Sequence, residues 1–282
     1  MSEAKKIWWI ASYPKSGNTW FRLALNAYVT QRTPDLKLPF DYVLQDLHTY
    51  YQQVVAAKPN RDLSQVEQIL YRPAVLLHFI AGAGGRDLTV KTHHCCGAIH
   101  GVPLIPEPLT KAAVYIIRDP RDVAVSWAAH LGQPIDGAIT SMADHGGAIA
   151  NDNTGLMHVT ASWSDHVKSW TMPEVPFPVT IVRYEDMLND TEATFRTIFA
   201  AVGFKDLDED RFHWALDQTT FGSLQRQERE TGFKESVGEG PFFRSGKAGE
   251  WRDVLTNQQV IAIENEHGEV MERFGYPSAI PF

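Results

Sequence analysis

The chain has 282 residues, 44% hydrophobic and 21% charged, which is ample for a core and fits one large α/β domain or two small ones. A net charge of −8 argues against a nucleic-acid partner, because binding a phosphate backbone relies on clustered positive charge; a nucleotide needs only a few well-placed cations. Cys95 and Cys96 are adjacent and suggest no structural disulfide, and no apolar run approaches the ~20 residues of a membrane span. The apolar run after Lys6 is too short for a signal h-region, so a cytoplasmic protein without a transmembrane segment is expected, with peripheral contact to membrane-bound acceptors left open.

The first predicted element is a buried parallel strand, Ile7–Ser12, followed by a Pro/Gly turn and a helix over Thr19–Tyr28. The turn and helix start read Ser12-Tyr13-Pro14-Lys15-Ser16-Gly17-Asn18-Thr19-Trp20. Backbone N–H groups of a loop that opens a helix converge on one point, and the helix dipole adds positive potential there. Lys15 adds a full charge, so the stretch points to an anionic, phosphate-bearing ligand. It is not a Walker A sequence, G-x-x-x-x-G-K-S/T, because the lysine precedes the glycine and Pro14 stands before it.

Residues 33–72 carry tyrosines, histidines and glutamines, among them His48, Tyr50 and Tyr51, and read as a long irregular loop on the acceptor side. Gly82–Asp87 is no dinucleotide fingerprint, since it precedes a strand and does not open a helix. That strand, Leu88–Thr92, ends in Lys91-Thr92-His93, and a histidine with a pKa near neutrality suits general-base work. A metal site built from His93, His94, Cys95, Cys96 and His100 is disfavoured, because adjacent ligands on a strand point to opposite faces and no second pair at zinc spacing completes it.

Ala112–Arg118 reads as a further strand, leading through Asp119-Pro120 into a helix over Arg121–Leu131. Asp119 can cap that helix, Pro120 suits its first position, and Asp122 complements the dipole. This leaves Arg118 free to meet an anion, with Ser126 on the second turn. Residues 132–156 are rich in Gly, Asp and Ala and read as a second irregular insertion. A strand over Val179–Arg183 precedes Tyr184-Glu185-Asp186-Met187, and helices follow over Thr191–Val202, Asp208–Leu216 and Asn257–Phe274. Between the last two lie Thr219-Thr220-Phe221 and the stretch Phe243-Arg244-Ser245-Gly246-Lys247-Ala248-Gly249-Glu250-Trp251. Taken alone, that stretch could pass for a nucleoside-triphosphate loop, but Ala248 after Lys247 offers no hydroxyl to magnesium. Strands alternating with helices imply a parallel sheet covered on both faces, with ligands at the strand carboxyl ends, where Lys15, His93 and Arg118 fall.

These blocks, in this order from about Ile7 to Trp251, resemble the sulfotransferases that use 3′-phosphoadenylyl sulfate (PAPS). The resemblance implies one α/β domain over 1–282 with a P-loop-like, three-layer fold, a central parallel sheet flanked by helices. It implies that Lys15 to Trp20 cradle the 5′-phosphosulfate, with Lys15 on the transferred group and Trp20 on the adenine. The R-x-P-R/K-D-x-x-x-S block implies that Arg118 and Ser126 hold the 3′-phosphate, and Arg244, Ser245 and Gly246 match the loop that closes over it. Ser245 stands where the family commonly has lysine, and Lys247 is displaced from that position by two residues. The K-T-H element implies that His93 deprotonates the acceptor and Lys91 stabilises charge, although His94-Cys95-Cys96-Gly97 replaces the usual Leu-Pro. Tyr184 matches a tyrosine near the adenine, and Thr219 and Phe221 match a segment packed on the base.

The implied reaction moves a sulfuryl group from PAPS to a hydroxyl or amine of a small-molecule, lipid or glycan acceptor, leaving adenosine 3′,5′-bisphosphate (PAP) and requiring no metal. Two other classes stand beside it: a P-loop kinase or NTPase preferring ATP with magnesium, and a non-catalytic nucleotide-binding protein. The acceptor's identity and the oligomeric state are not legible. In the family's C-terminal dimer motif Arg252 and Thr256 fit, whereas Asn257 and Ile261 depart.

Overall fold

A computed structural model describes residues 5–38, 40–150, 154–237 and 240–279. In chain order the elements begin with β1 (Ile7–Ser12), α1 (Asn18–Thr30), β2 (Val43–Gln45), α2 (Thr49–Ala56), α3 (Gln65–Gly82) and β3 (Leu88–Thr92). A small ladder of β4 (Ala98–Ile99) and β5 (Val102–Pro103) precedes β6 (Thr110–Ile117), α4 (Pro120–Leu131) and α5 (Ile135–Ala143). A second ladder, β7 (Ala148–Ala150) with β8 (Met157–Val159), leads to α6 (Trp163–Thr171), β9 (Val179–Arg183), α7 (Tyr184–Asn189) and α8 (Thr191–Ala201). The chain closes with α9 (Glu209–Gln218), α10 (Phe221–Thr231), α11 (Trp251–Val254) and α12 (Asn257–Arg273).

The main sheet runs β2-β3-β1-β6-β9, and each pairing in it is parallel. Because β1 sits between β3 and β6, the crevice of a doubly wound sheet opens at its carboxyl end. Alternation along β1 explains the layers. Ile7, Trp9 and Ala11 enter one core with α3, α4 and α6, while Ile10 enters the other with Phe21 of α1 and Phe195 and Phe199 of α8. Trp9 is fully buried, and its indole N–H donates to Thr110 Oγ1 at 3.0 Å, which gives the ring's polar edge a partner.

Four of the sheet's strands lie where the sequence predicts them, β6 starting two residues earlier and stopping one short of Arg118. The two segments read as irregular need correction. Residues 33–72 contain edge strand β2, helix α2 and the start of α3, and 132–156 contains α5 and strand β7. The start of α3 is a capping box: Ser64 Oγ accepts from the Glu67 N–H, and Glu67 accepts from the Ser64 N–H. Tertiary burial overrides the polar composition here, since Arg72 and Gln68 both point inward.

Candidate functional site

Three loops meet at the carboxyl ends of β1, β3 and β6. The first turns from β1 into α1 with Lys15 at φ 66° and Gly17 at φ 102°. A side chain at Gly17 would be strained at that angle and would put its Cβ 2.7 Å from the Tyr184 ring, so the backbone can make this turn only with glycine. No side chain caps α1, which leaves its first amides open toward the loop. Ser16 is fully buried, and its hydroxyl has no partner among the described residues. Asn18 is used differently: its amide donates to the Ile10 carbonyl (3.2 Å) and Ser12 Oγ (3.3 Å), tying α1 to β1. Its side chain is therefore structural, although its backbone N–H opens the helix.

Arg118 closes this cup. Its terminal nitrogens donate to the Lys15 carbonyl (2.9 Å) and the Lys247 carbonyl (3.1 Å), and its Nε–H is buried without a partner among the described residues. The guanidinium lies 4.4 Å over the Tyr184 ring. Trp20 meets the same ring edge-on at 6.4 Å, so the two aromatic residues flank the loop. Below Arg118, the Asp119 side chain caps α4 by accepting from the Arg121 N–H (2.9 Å), and Pro120 takes the first helical position. Ser126 follows, half-buried on α4.

The third loop is clamped from two sides. Glu228 accepts from the N–H groups of Phe242 (2.6 Å) and Phe243 (2.9 Å), and Asp122 accepts from those of Gly249 (2.6 Å) and Trp251 (3.0 Å). Gly246 packs against the Phe221 ring, where any Cβ would overlap it. Arg244 pairs with Glu250 through two 2.5 Å bonds, so the arginine is held by a carboxylate of its own loop. Lys247 is exposed and contributes its carbonyl; Ser245 is half-buried. Thr219 is not brought to the cup by its hydroxyl, which donates to the carbonyl of Ala215 (2.8 Å) or Leu216 (3.3 Å) in its own helix.

His93 stands at the end of β3. Its Nδ1 lies 2.7 Å from the Ser12 carbonyl, which can only accept, so Nδ1 carries the proton and Nε2 keeps its lone pair. Burial, with the nearby Lys91 charge, holds its pKa well below 6.5 and keeps the ring neutral. Its backbone carbonyl accepts from His166 Nε2 (3.2 Å), and His166 Nδ1 in turn accepts from the Tyr115 hydroxyl (2.8 Å). Lys91 is buried, which pushes its pKa down to about 8, with Arg22 adding to the shift. Burial, then Arg118, pushes Lys15 down to about 7, and Lys15 Nζ sits 3.7 Å over the Phe242 ring.

Behind His93 lies a buried hub that the motifs did not indicate. Asp46 accepts from Thr92 Oγ1 (2.6 Å), Arg72 Nη2 (2.8 Å) and His158 Nε2 (2.9 Å). Burial works against its charge, but His158 and Arg72 outweigh burial and hold its carboxyl well below 3.8. The ligand atoms of Asp46, His94 and His158 lie within 4.8 Å of one another, a set that includes only His94 of the five residues weighed as metal ligands in the sequence. His94 Nδ1 accepts from the Val159 N–H (3.0 Å), so the neutral ring carries its proton on Nε2, facing Asp46 at 3.8 Å. That tautomer has no lone pair to offer a cation, and the hub reads as an internal hydrogen-bond network.

Residues 5–275 match the family model described as a sulfotransferase domain. Cytosolic sulfotransferase 16 of Arabidopsis thaliana is 24% identical over 94% of this chain and 75% of its own length. Sulfotransferase 2A2 of Mus musculus is 26% identical over 57% of each chain, so the match spans little more than half of that relative. Among solved structures, mouse sulfotransferase SULT7A1 complexed with PAP superposes with a TM-score of 0.59 at 19% identity, covering 95% of this chain and 85% of its own. A sulfotransferase domain from a Synechococcus olefin synthase gives 0.53 at 18% identity, covering 100% and 98%. At these identities the superpositions speak to the fold, the P-loop-like parallel sheet described above. Among the described residues, no helix is long and apolar enough to cross a membrane.

Proposed function

The chain belongs to the sulfotransferase domain family, and from that premise we propose that it transfers a sulfuryl group from PAPS to a hydroxyl or amine of a small-molecule, lipid or glycan acceptor. The observation that carries this reading is the open anion cup. Among the described residues Ser16 Oγ and Arg118 Nε are buried donors without partners, no side chain caps α1, and Lys15 and Arg118 supply positive charge. Such unsatisfied donors are rare unless a ligand completes them. PAPS supplies a sulfuryl group on a phosphate leaving group, and the solved relatives SULT7A1 and retinol dehydratase were crystallised with its spent form, PAP.

In this reading Lys15, the backbone of Ser16 to Thr19 and Ser16 Oγ hold the 5′ end of the nucleotide, and Trp20 and Tyr184 flank its base. Arg118 and Ser126 hold the 3′-phosphate with the loop of Arg244 to Gly246. Arg244 must part from or share Glu250 to reach the phosphate, and the Thr219 hydroxyl is already engaged by the carbonyls of Ala215 and Leu216. His93 takes the acceptor proton at Nε2, the nitrogen its bond to Ser12 leaves open, while Lys15 and Lys91 stabilise developing negative charge. An in-line displacement needs the acceptor oxygen or nitrogen within reach of Nε2 on the side away from Ser12.

Thermal shift with PAP against ATP and magnesium tests the nucleotide, and single-turnover sulfate transfer to an acceptor panel tests the chemistry. A larger shift with magnesium-ATP would favour a P-loop phosphotransferase. PAP binding without transfer to any acceptor would favour a nucleotide-binding protein.

A further inference from the structure

The first turns of α1 hold an ion pair that the family motifs do not require. Arg22 is 1% exposed and grips the Glu235 carboxylate with both terminal nitrogens, at 3.0 Å to Oε1 and 2.7 Å to Oε2. Thr19 Oγ1 donates to the same Oε2 (3.2 Å) and accepts from Arg22 Nη2 (3.0 Å), while Gln45 Nε2 donates to Oε1 (3.1 Å). The hydroxyl of Thr19, a residue matched to the phosphosulfate loop, therefore has its one proton aimed at a carboxylate of the chain itself. Arg22 Nε is also buried without a partner among the described residues, a donor beyond the two that grip Glu235.

Thr19 joins the pair to the loop matched to the phosphosulfate. Arg22 is the charge that most depresses Lys91 after burial, and the Glu235 carboxylate offsets the depression of both Lys91 and Lys15. An arginine fork and a threonine hydroxyl thus hold an anion whose charge acts on the two lysines assigned to the transferred group. A carboxylate and a phosphosulfate oxygen pair make the same demand on a guanidinium: two parallel charge-assisted bonds. Two anions on the first turn of one helix repel, and one hydroxyl proton serves one acceptor at a time.

We propose that Glu235 is an internal stand-in for the anionic end of the nucleotide donor, and that Arg22 and Thr19 exchange its carboxylate for the donor's, making Arg22 a donor-binding residue. No bond is made or broken; one anion replaces another on the same donors. The buried Arg22 thereby has a counterion both before and after binding, since a buried guanidinium left alone is strongly destabilising. This inference rests on the PAPS reading of the cup.

The test is calorimetric titration of wild-type protein, E235Q and E235Q/R22Q with PAP. E235Q keeps the shape and removes the competing charge; it is expected to bind PAP about tenfold more tightly, the scale of one charge-assisted contact. The double variant is expected to lose that gain. Should E235Q not fold, E235D, which keeps the charge on an arm one methylene shorter and so loosens its grip on Arg22 and Thr19, is expected to give a smaller gain of the same sign. Equal or weaker binding by the Glu235 variant, with wild type still binding, overturns the inference alone. No binding by any variant overturns the PAPS reading and takes this inference with it.

Discussion

The anion cup and the corner that carries His93 lie at the ends of adjacent strands, yet their polar groups are handled in opposite ways. Around His93 most groups are paired: Asp46 has three donors, His166 is bonded at both nitrogens, and the ring of His93 itself is fixed by Ser12, while His94 Nε2 faces Asp46 at 3.8 Å, beyond hydrogen-bond reach. In the cup Ser16 Oγ and Arg118 Nε are buried and unpartnered, and α1 has no capping side chain. A base must present one nitrogen in one direction, which a closed network enforces. A binding loop must offer donors to something outside the chain, and those donors can be open only in its absence. The difference teaches how to separate residues that set geometry from residues that take a ligand.

Substitutions on the two sides should therefore fail in different ways. The largest effect is expected for His93→Ala, with turnover down by ~10²–10⁴ in single-turnover transfer and PAP affinity nearly unchanged. Near-normal turnover would remove His93 from the mechanism, and a matching loss of affinity would merge the two sides. Next comes Asp46→Asn, which leaves Arg72 buried beside a neutral amide; urea unfolding is expected to show a loss of about 3 kcal/mol. A stability within a few tenths of wild type would mean that the hub does not hold the corner.

Lys15→Met should do the reverse of Asp46→Asn. Its PAP affinity is expected to fall by about 10- to 100-fold, the worth of a contact to a charged group. The ligand-free protein should melt higher, because burial penalises the charged lysine and lowers its pKa to about 7. The unfolded lysine binds its proton more tightly than the folded one, so this contribution destabilises fully below pH 7 and is relieved as pH rises toward the ordinary lysine value. A lower melting temperature for Lys15→Met would contradict that electrostatic reading.

The mildest perturbation is pH itself. A polyanion in the cup raises the pKa of Lys15 and of Lys91, so PAP binding should draw protons from solution. Affinity should be level below about pH 7 and then fall, by at most about tenfold per pH unit for each lysine, as the free protein loses its charges. Calorimetry in buffers of different ionisation enthalpy reads the proton uptake directly, and a flat affinity from neutral to alkaline pH would show that neither lysine meets the ligand.

Much of this architecture was legible in the chain. The four longer strands are β-branched-rich stretches bounded by turn signals, and Asp119-Pro120 announces both the end of β6 and the start of α4. What escaped reading depends on distant partners. The hub joins Asp46 of the turn after β2 with Arg72, Thr92 and His158 of three further elements, and no local pattern marks Asp46 as buried. Residues 33–72 look like a loop because polar side chains such as Asp46, Gln68 and Arg72 are buried there, although Ser64 and Glu67 spell a capping box. Arg22 reads as an ordinary helical arginine until Glu235, more than two hundred residues on, is seen against it. Thr219 matches a family position, but its hydroxyl had to be seen folded back on its own helix.

Titration of the wild-type chain with PAP at about pH 7, followed by calorimetry, probes the cup most directly. Saturable one-to-one binding accompanied by net proton uptake is the predicted result. An absence of measurable heat and of any ligand-induced rise in melting temperature would contradict it, since the buried donors of Ser16 and Arg118 would then serve no nucleotide.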